Sequence, residues 1–395
     1  MKKVCVIGLG YVGLPTAILL SSKNIIVNGY DVNKKIVNNI NKQLIKINEK
    51  NLNILYKSNI VKRNLTAYNK ITESDVYVIA VPTPLKKNKT ADLSFVEKAF
   101  TDISKILKKG DIIILESTCP VGTTEKFLKK LKKKRQDLIF PCNSLEKFDV
   151  NLAYCPERVL PGNTLKELIS NKRLIGGVTK KCAYRAKKFY KMFVNGSCIV
   201  TESKIAEMSK LSENSYRDVN IAFANQLKII SEFHNINIWD VVKFSNLHPR
   251  VNIHSPGPGV GGHCIAVDPW FLLSDIKNNS NNIILNSRKF NDNVPNILVN
   301  NLKKKIKKKN VQYKNTIIAC FGLSYKANID DIRESPSLKI IKKISKYNFK
   351  KILLVDPYVK KHPLLINNIN KLVMCNIRDA IKKADIILFL VDHKE

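Results

Sequence analysis

Short runs of consecutive apolar residues alternate along the chain with segments in which apolar residues recur at helical spacing. An unbroken apolar run of about four to eight residues is typical of a parallel strand that is covered on both faces. Strands that alternate with helices predict βα units and a doubly wound parallel sheet. The predicted strands are 4–7, 25–30, 76–81 and 112–115 in the first half of the chain, and 315–321, 351–355 and 384–391 near its end.

One helix, predicted over 201–233, is long enough to connect the two strand-rich regions. Lys210, Asn214 and Arg217 fall within about 60° of one another on its polar face, at about 100° per residue. Two cations and an amide can line a site that holds an anion, and a solvated polar face with i,i+4 spacing is the alternative. The opposite, apolar face is predicted to be buried and consists of Ile205, Met208, Leu211, Val219, Ala222 and Phe223.

The first predicted strand leads into a glycine-rich loop, 8–13, that opens a helix. Its sequence, GLGYVG, matches G-x-G-x-x-G in the strand–loop–helix context of dinucleotide binding. Gly8 permits the tight turn, Gly10 the close approach of a pyrophosphate, and Gly13 the packing of helix on strand. Asp31 ends the second strand, where an acid binds the ribose of NAD and repels the 2′-phosphate of NADP. We therefore predict NAD binding, with a glycine-rich turn in an unrelated α/β protein as the alternative.

A second glycine-rich segment, 255–271, combines a stiff loop with two reactive side chains. Prolines and glycines lead to Cys264, and Asp268 follows four residues later. A helix that starts near Cys264 would favour the thiolate and place Asp268 about one turn away on the same face. This arrangement suits covalent catalysis, and a glycine-rich turn with a buried structural cysteine is the alternative.

Hydroxyl, proline and charged side chains follow two other predicted strands, 76–81 and 112–115, at the edge where α/β sheets bind ligands, and a further segment of this kind forms a stiff loop. Thr83 lies in the segment VPTP, and residues 116–124 read ESTCPVGTT. Residues 156–162, PERVLPG, place Glu157 and Arg158 between two prolines. Ordinary turn and N-cap chemistry explains each of these segments when it is considered alone.

Composition narrows the class of protein. The net charge of +36 favours anionic ligands such as nucleotides, but the basic clusters carry no interleaved aromatic residues, so nucleic-acid binding is the weaker hypothesis. The nine cysteines are scattered without a C-x-x-C pair, which argues for reduced thiols in the cytoplasm and against disulfides or a metal site. We find no signal peptide, and no apolar run approaches the roughly 18 residues of a membrane span.

Seven motifs, in order along essentially the whole chain, resemble the UDP-glucose/GDP-mannose dehydrogenase family. They are GLGYVGLP, VPTP, ESTCPVGTT, PERVLPG, KLSENSYRD, GPGVGGHCIAVDP and FGLSYKANIDDIRES. Arg158 and Pro161 stand where the UDP-glucose and GDP-mannose branches have Phe and a second acid, so PERVLPG is most similar to the N-acetylhexosamine branch. The fold implied is two Rossmann-like doubly wound parallel-sheet domains, joined by a long central helix and helical segment. The predicted domains are 1–198 for NAD, 199–310 for dimerisation and the catalytic Lys and Cys, and 311–395 for the UDP-sugar.

The resemblance also implies a reaction, the four-electron oxidation of the C6 alcohol of a UDP-N-acetylhexosamine to a carboxylate with two NAD⁺. N-acetyl-D-mannosamine is the first choice of sugar, and the glucosamine and galactosamine epimers stay open. Cys264 matches the family nucleophile, which forms a thiohemiacetal and then a thioester. Lys210 matches the catalytic lysine that stabilises an oxyanion, and Asn214 would help to hold that oxyanion or a water. Asp268 and Glu157 are both candidates for activating water.

The same match assigns binding residues. Contacts with NAD are expected at Gly8, Gly10, Tyr11, Val12, Gly13, Asp31, Thr83, Thr118, Thr124 and Arg333. Contacts with the nucleotide sugar are expected at Arg158, Val159, Lys210, Asn214, Arg217, His248, Arg250, Gly261, Tyr325 and Lys326. Family members dimerise through the central helices, so we expect a cytoplasmic homodimer with Arg250 acting across the subunit boundary. We expect no metal, membrane or nucleic-acid partner, and a role in surface polysaccharide synthesis.

The end of the chain differs from the family pattern. Residues 392–395 follow directly on the last predicted strand, where relatives continue, so we expect the terminal tail to be missing. A protein that binds NAD and a nucleotide sugar without reacting is the more distant alternative. The intact Cys264, Lys210 and Asn214 argue against that alternative.

Overall fold

The computed structural model describes residues 3–47, 49–159, 162–276, 281–360, 363 and 370–395. The chain divides into two compact units, Met1–Leu211 and Ser212–Glu395, and the division falls inside the long helix. Leu160 and Pro161 of the PERVLPG segment lie outside the described residues. Within the described ranges, no helix combines the length and the apolar character needed to cross a bilayer.

An eight-stranded sheet forms the centre of the first unit. Its strands are β1 (Lys3–Ile7), β2 (Ile26–Tyr30), β3 (Leu65–Tyr68), β4 (Val76–Ile79), β5 (Ile112–Leu115), β6 (Asn151–Tyr154), β7 (Arg173–Gly177) and β8 (Cys198–Glu202). Their spatial order is β3-β2-β1-β4-β5-β6-β7-β8. Neighbouring strands are parallel except β6 and β7, which are antiparallel. The predicted doubly wound parallel sheet is therefore confirmed up to β6, and the reversed pair β7–β8 is a departure from an all-parallel sheet.

Apolar side chains cover both faces of this sheet. Alternate residues of β1 face opposite sides, as the pleat of a strand requires. Val4 and Val6 belong to one core, whereas Cys5 and Ile7 belong to the other. Because all four side chains are fully buried, the strand consists of consecutive apolar residues, and that run made it predictable from the sequence.

Helices cover the sheet and connect its strands. They are α1 (Gly13–Ser22), α2 (Lys34–Asn41), α3 (Lys50–Tyr56), α4 (Asn59–Asn64), α5 (Ser94–Ser104), α6 (Thr123–Lys134), α7 (Thr164–Ser170) and α8 (Lys180–Tyr190). The long helix α9 (Ser203–Phe233) begins in the first unit and ends in the second.

The second unit contains a four-stranded parallel sheet. Its strands are β9 (Ile317–Phe321), β10 (Lys351–Val355), β11 (Leu372–Met374) and β12 (Ile386–Phe389), in the order β11-β10-β9-β12. This order repeats β3-β2-β1-β4 of the first sheet, although no repeat is visible in the sequence. The helices of this unit after α9 are α10 (Ile238–Ser245), α11 (Asp268–Leu272), α12 (Ile283–Lys308), α13 (Pro336–Ile344) and α14 (Ile377–Lys383).

The two sheets also share a backbone detail. Gly8 follows β1 with φ +91°, and Gly322 follows β9 with φ +93°. In each sheet, the carboxylate after the next strand accepts the N–H of the residue that follows the glycine, at 3.0 Å for Asp31 and 2.7 Å for Asp356. The second sheet adds one partner, because His393 Nε2 lies 3.2 Å from Asp356 Oδ2.

The burial of α9 corrects the sequence prediction. Ile205, Met208 and Phe223 of the predicted buried face are 51%, 53% and 51% exposed. The side of the helix that is buried instead carries polar residues such as Asn214 and Asp218, together with Leu211 and Ala222 of the predicted set. Periodicity therefore predicted an apolar face of which only a part is buried within this chain.

A buried ion pair explains the polar side of α9. Within the second unit, the guanidinium of Arg288 on α12 bonds the carboxylate of Asp218, and both side chains are fully buried. Asn291 Nδ2 donates to the same carboxylate at 2.9 Å. Burial raises the pKa of Asp218 to about 6, and the charge of Arg288 opposes that rise. Buried charges need such partners, so α9 and α12 are joined by specific polar contacts.

Candidate active site

The loop after β1 has the geometry of a phosphate cradle. A Cβ on Gly8 would lie 2.7 Å from the carbonyl oxygen of Ala80. A Cβ on Gly13 would lie 1.8 Å from the carbonyl oxygen of Gly8, so only glycine lets α1 begin this close to β1. Open space surrounds the place where a Cβ of Gly10 would be. That space allows a phosphate to approach the backbone.

The N-terminus of α1 lies beside this space. Its N-cap, Val12, provides no side-chain hydrogen bond. The structure describes the whole first turn, which contains no acidic residue. The carboxylate of Asp31 accepts the N–H groups of Leu9 at 3.0 Å and Asn33 at 2.8 Å. Tyr11 is half exposed. Uncapped N–H groups and a carboxylate at the end of β2 fit the pyrophosphate and the ribose of NAD.

The loops after β4 and β5 are tied to each other. Thr83 Oγ1 donates to the carbonyl oxygen of Thr118 at 2.7 Å, and Ser117 Oγ donates to that of Val81 at 2.8 Å. Since β1, β4 and β5 are adjacent and parallel, both threonines lie at the same sheet edge as the glycine loop. The structure therefore brings these predicted cofactor residues to one edge, and their contacts with NAD stay predictions.

Thr124 has a partner that the sequence analysis missed. Glu207 of α9 is fully buried and accepts the hydroxyl of Thr124 at 2.6 Å, its N–H at 2.9 Å, and the N–H of Gly122 at 2.5 Å. Burial raises the pKa of Glu207, and these hydrogen bonds oppose the rise. A carboxylate thus caps α6 from a distant helix. The sequence signal was the N-cap of α6, Gly122, which has no side chain to cap the helix.

Glu157 follows β6 in the first unit. Burial raises the pKa of its carboxyl to about 6, nearby Arg173 and Lys210 oppose the rise, and Glu116 adds to it. Its Oε1 is buried and has no hydrogen-bond partner within the described residues. Arg158 and Val159, the next two residues, are partly exposed. A carboxylic acid with a pKa near neutrality, next to a lysine, is suited to acid–base chemistry.

In the second unit, the glycine loop packs against the segment that follows β9. A Cβ on Gly261 would lie 2.7 Å from the Cβ of Tyr325, and Gly262 has φ +78° with the same ring within 3 Å of its missing Cβ. The N–H of Gly262 donates to the carbonyl oxygen of Arg333 at 3.0 Å. Glycine is therefore required where this loop meets Tyr325, and the contact fixes the path of the chain into Cys264.

The predicted helix start at Cys264 is wrong, but the predicted spacing holds. Residues 262–267 form turns, and α11 begins at Asp268, where Pro269 is compatible with the first turn. The carbonyl oxygen of Cys264 accepts the N–H of Asp268 at 2.9 Å, which places the two residues one turn apart. Cys264 is exposed, whereas Asp268 is buried. Cys264 therefore does not stand at the N-terminus of α11, which is the arrangement that the sequence analysis considered.

Asn214 connects Asp268 to the polar side of α9. Its amide nitrogen donates to the Asp268 carboxylate, and its amide oxygen accepts from Arg217. Asn214 is buried, whereas Arg217 is exposed. Three residues of the predicted site are thus joined within the second unit, while Lys210 lies one turn before Asn214 on the same helix.

The other predicted sugar residues are mostly at the surface. His248, Arg250 and Lys326 are exposed, and the N–H of Arg250 donates to His248 Nδ1 at 3.3 Å. Arg333, predicted to contact NAD, is exposed and paired with Asp331 at 2.5 Å. The predicted set is therefore divided between two units, and its assembly into one pocket stays a prediction.

Sequence profiles of one family match three segments of the chain. The NAD binding domain of the UDP-glucose/GDP-mannose dehydrogenase family matches residues 2–194, its central domain residues 204–293, and its UDP binding domain residues 319–395.

Individual relatives match along the whole chain. A UDP-N-acetyl-D-mannosamine dehydrogenase of Campylobacter jejuni is 49% identical over 395 residues, covering 100% of this chain and 96% of the relative. An NDP-N-acetyl-D-galactosaminuronic acid dehydrogenase of Ralstonia nicotianae is 45% identical over 394 residues, covering 100% and 91%. The solved structure of a UDP-N-acetyl-mannosamine dehydrogenase from Staphylococcus aureus has a TM-score of 0.86 and 39% identity, covering 99% of this chain and 89% of that chain.

Proposed function

Because the chain belongs to the UDP-glucose/GDP-mannose dehydrogenase family, we propose that it oxidises the C6 alcohol of UDP-N-acetyl-D-mannosamine to a carboxylate. The chain is an NAD-dependent nucleotide-sugar dehydrogenase, with NAD as cofactor. The observation that carries the proposal is the exposed Cys264 thiol at the end of a glycine loop, one turn before the buried Asp268. The 49% identity to a UDP-N-acetyl-D-mannosamine dehydrogenase supports the choice of sugar.

The first unit offers the residues that would hold the cofactor. When bound, NAD accepts a hydride from the sugar carbon. The space at Gly10 and the N-terminus of α1 would receive the pyrophosphate, and Asp31 the ribose. Thr83 and Thr118 lie at the same sheet edge and are proposed contacts. Thr124 is proposed to act indirectly, because Glu207 engages both its hydroxyl and its N–H.

The proposed reaction has two oxidation steps and one hydrolysis. A base removes the proton of the C6 hydroxyl as hydride leaves the carbon, giving an aldehyde. The Cys264 thiolate adds to the aldehyde carbon, and the thiohemiacetal loses a second hydride to become a thioester. Water then attacks the thioester carbon, the carbon–sulfur bond breaks, and the thiol and the carboxylate are released.

The polar residues around these steps have distinct proposed roles. Lys210 stabilises the oxyanion, and Asn214 holds that oxyanion or a water. Glu157 is favoured over Asp268 for activating the hydrolytic water. Its Oε1 has no hydrogen-bond partner among the residues described, and its pKa of about 6 suits a base near neutral pH. The carboxylate of Asp268, in contrast, accepts the amide of Asn214 and positions it.

The sugar itself admits a second candidate. The relative that is 45% identical is an NDP-N-acetyl-D-galactosaminuronic acid dehydrogenase, which favours the galactosamine epimer as the alternative substrate. Forked arginine contacts would recognise the pyrophosphate or the N-acetyl group. The residues proposed to surround the nucleotide sugar are Arg158, Val159, Lys210, Asn214, Arg217, His248, Arg250, Gly261, Tyr325 and Lys326.

We also propose that two copies of the chain pair through α9. In the second unit, this helix exposes Tyr216, Phe223 and Ile230 at seven-residue spacing, and Phe233 is 82% exposed. Apolar residues in a heptad pattern are typical of a seam between helices, and a large exposed apolar face marks an interaction site. A second copy presents the same stripe, so a homodimer would cover both faces and allow Arg250 to act across the boundary.

Two further proposals concern the domain organisation and the compartment. The three-part division at 199 and 311 is kept as a proposal. All nine cysteines lie among the described residues, and no disulfide joins any two of them. Because the chemistry needs a reduced Cys264, we propose that the enzyme works in the cytoplasm, where thiols stay reduced.

The experiment that tests this function counts NADH per sugar. Limiting UDP-N-acetyl-D-mannosamine is supplied with excess NAD⁺, and NADH is measured by absorbance until the reaction stops. Two NADH per sugar are expected, because the alcohol is taken to the carboxylate. One NADH would mean that the aldehyde is released and would contradict the thioester steps. Turnover with only the galactosamine or glucosamine epimer would replace the proposed substrate.

Two cysteine variants separate the nucleophile from a general effect of thiol loss. Cys264→Ser should lower the rate of carboxylate formation by about a thousandfold or more. Cys142→Ser is the matched control, since Cys142 is also exposed but belongs to the first unit, whereas Cys264 belongs to the second. A rate near that of the wild type for Cys264→Ser would contradict the assignment of the nucleophile.

A further inference from the structure

A cluster of charged and polar side chains lies buried in the first unit. Glu116 directly follows β5, Arg173 begins β7, and Tyr190 ends α8. The hydroxyl of Tyr190 donates to Glu116 Oε1 at 2.6 Å, and Arg173 Nη1 lies 3.7 Å from the same oxygen. The guanidinium of Arg173 lies 5.0 Å from the centroid of the Tyr190 ring. Three elements therefore hold one arginine in place.

This cluster is a costly way to stabilise a core. The side chains of Arg173 and Glu116 are 7% and 1% exposed, and apolar residues of similar size stabilise a core at least as well as a buried ion pair does. The carboxylate is also incompletely satisfied, because Glu116 Oε2 is buried with no hydrogen-bond partner in the part of the chain that the structure describes. A half-satisfied buried polar group calls for an explanation other than stability.

Glu157 supplies that explanation. β5 and β6 are paired, and the N–H of Cys155 donates to the carbonyl oxygen of Leu115 at 2.9 Å, so the segments that carry Glu116 and Glu157 run side by side. Arg173 is the strongest of the charges that lower the pKa of Glu157, Lys210 of α9 also lowers it, and Glu116 raises it. In the antiparallel register of β6 and β7, Tyr154 pairs with Gly176, so the chain continues from β6 into Glu157 toward the end at which Arg173 begins β7. The charges of Arg173 and Glu116 therefore both act on Glu157.

We propose that Arg173, held in place by Glu116 and Tyr190, is a positioning residue that keeps Glu157 a charged carboxylate for the hydrolysis of the thioester. The inference rests on the proposed function, since it concerns the last step of that reaction. In this arrangement Arg173 attracts the negative charge of Glu157, while Glu116 limits that attraction and leaves the carboxyl able to exchange a proton near neutral pH.

Two substitutions should move the titration of Glu157 in opposite directions. Glu116→Gln removes a neighbouring negative charge, so the pKa of Glu157 should fall. Arg173→Lys replaces the forked guanidinium with a point charge that cannot interact with the carboxylates of Glu116 and Glu157 at once. The pKa of Glu157 should therefore rise. We expect displacements of about one pH unit, which correspond to about a tenfold change in hydrolysis rate on the acid side. A purely structural cluster would lower the rate in both variants without moving the profile in opposite directions.

The titration is measured directly by NMR on protein labelled with ¹³C at the glutamate carboxyl carbons. The signal of Glu157 is identified by its loss in Glu157→Gln. The pH dependence of thioester hydrolysis is measured in parallel, in single turnovers that follow carboxylate formation. Midpoints displaced downward in Glu116→Gln and upward in Arg173→Lys would support the inference. Midpoints that are unmoved, or that move in the same direction, would overturn it.

A third variant keeps the test decisive if Arg173→Lys does not fold. Tyr190→Phe removes only the hydroxyl that donates to Glu116, so Glu116 is protonated more readily and the midpoint of Glu157 should fall by less than in Glu116→Gln. Tyr56→Phe is the matched control, because Tyr56 is equally buried and its hydroxyl donates to the carbonyl oxygen of Ile40 at 3.2 Å. The NMR titration needs no turnover, and NADH per sugar in the wild type tests the function separately.

Discussion

Replacing Glu207 by alanine should destabilise the first unit strongly. The carboxylate of Glu207 is fully buried and accepts hydrogen bonds from the N–H of Gly122 and from the N–H and hydroxyl of Thr124. Alanine leaves these three donors without their acceptor, at a cost of about 1 kcal/mol each. We therefore expect a loss of about 3 kcal/mol in the free energy of unfolding. For a unit of this size, that loss corresponds to a fall in Tm of about 6–12 °C.

Calorimetry at neutral pH measures this loss, and two further variants define its origin. Glu207→Gln keeps one oxygen acceptor but turns an N–H₂ group toward a backbone donor, so about half of the loss is expected. Glu202→Ala is the matched control, since Glu202 is exposed five residues earlier in the chain, and its effect should stay within about 0.5 kcal/mol.

Two outcomes would refute the reasoning. A Tm for Glu207→Ala within about 2 °C of the wild type would mean that the three donors find other partners at little cost. A loss of the same size in Glu202→Ala would mean that this end of α9 responds to any substitution. Either result would remove Glu207 as the anchor between α9 and the start of α6.

Substitutions in the glycine-rich loop 8–13 should separate cofactor binding from folding. Gly10→Ala should leave Tm unchanged and raise KM for NAD by about tenfold, because its Cβ occupies the space expected for a phosphate, whereas Gly13→Ala should lower Tm. An unchanged KM in Gly10→Ala would contradict the cradle. Phe223→Glu should convert the proposed dimer to a monomer in analytical ultracentrifugation, while Tyr184→Glu, an equally exposed control in the first unit, should not. A monomeric wild type would reject the proposed dimer.

Much of the fold was predictable because buried parallel strands appear in the sequence as unbroken apolar runs. The predicted strands 112–115 and 351–355 agree with β5 and β10 residue for residue. β7 and β8 were missed, since β7 begins with the buried Arg173 and only the first residue of β8, Cys198, is buried. Local patterns do not show that a charge is neutralised by a partner on another strand.

The candidate site was predictable where chemistry is local. Neighbours in the chain determine the glycine-rich loop 8–13, the position of Asp31 and the four-residue spacing of Cys264 and Asp268. A sequence motif therefore contains them. Glu207 and Glu116 depend on contacts across many residues, so no local pattern marks them. The burial of α9 was mispredicted for the same reason, because periodicity identifies an apolar face but not whether the fold buries it.

The paired aspartates of the two sheets bear on the engineering of cofactor preference. Asp356 bonds the backbone after Gly322 as Asp31 bonds the backbone after Gly8, and the same oxygen of Asp356 also lies 3.2 Å from His393 Nε2. Holding the loop is therefore a duty of this carboxylate that does not require a bound ribose. Replacing Asp31 by a small neutral residue, in order to accept NADP, would remove the repulsion of the 2′-phosphate. It would also remove the hydrogen bond that holds the loop after Gly8. Asparagine, which still accepts an N–H, is the safer starting point for such a redesign.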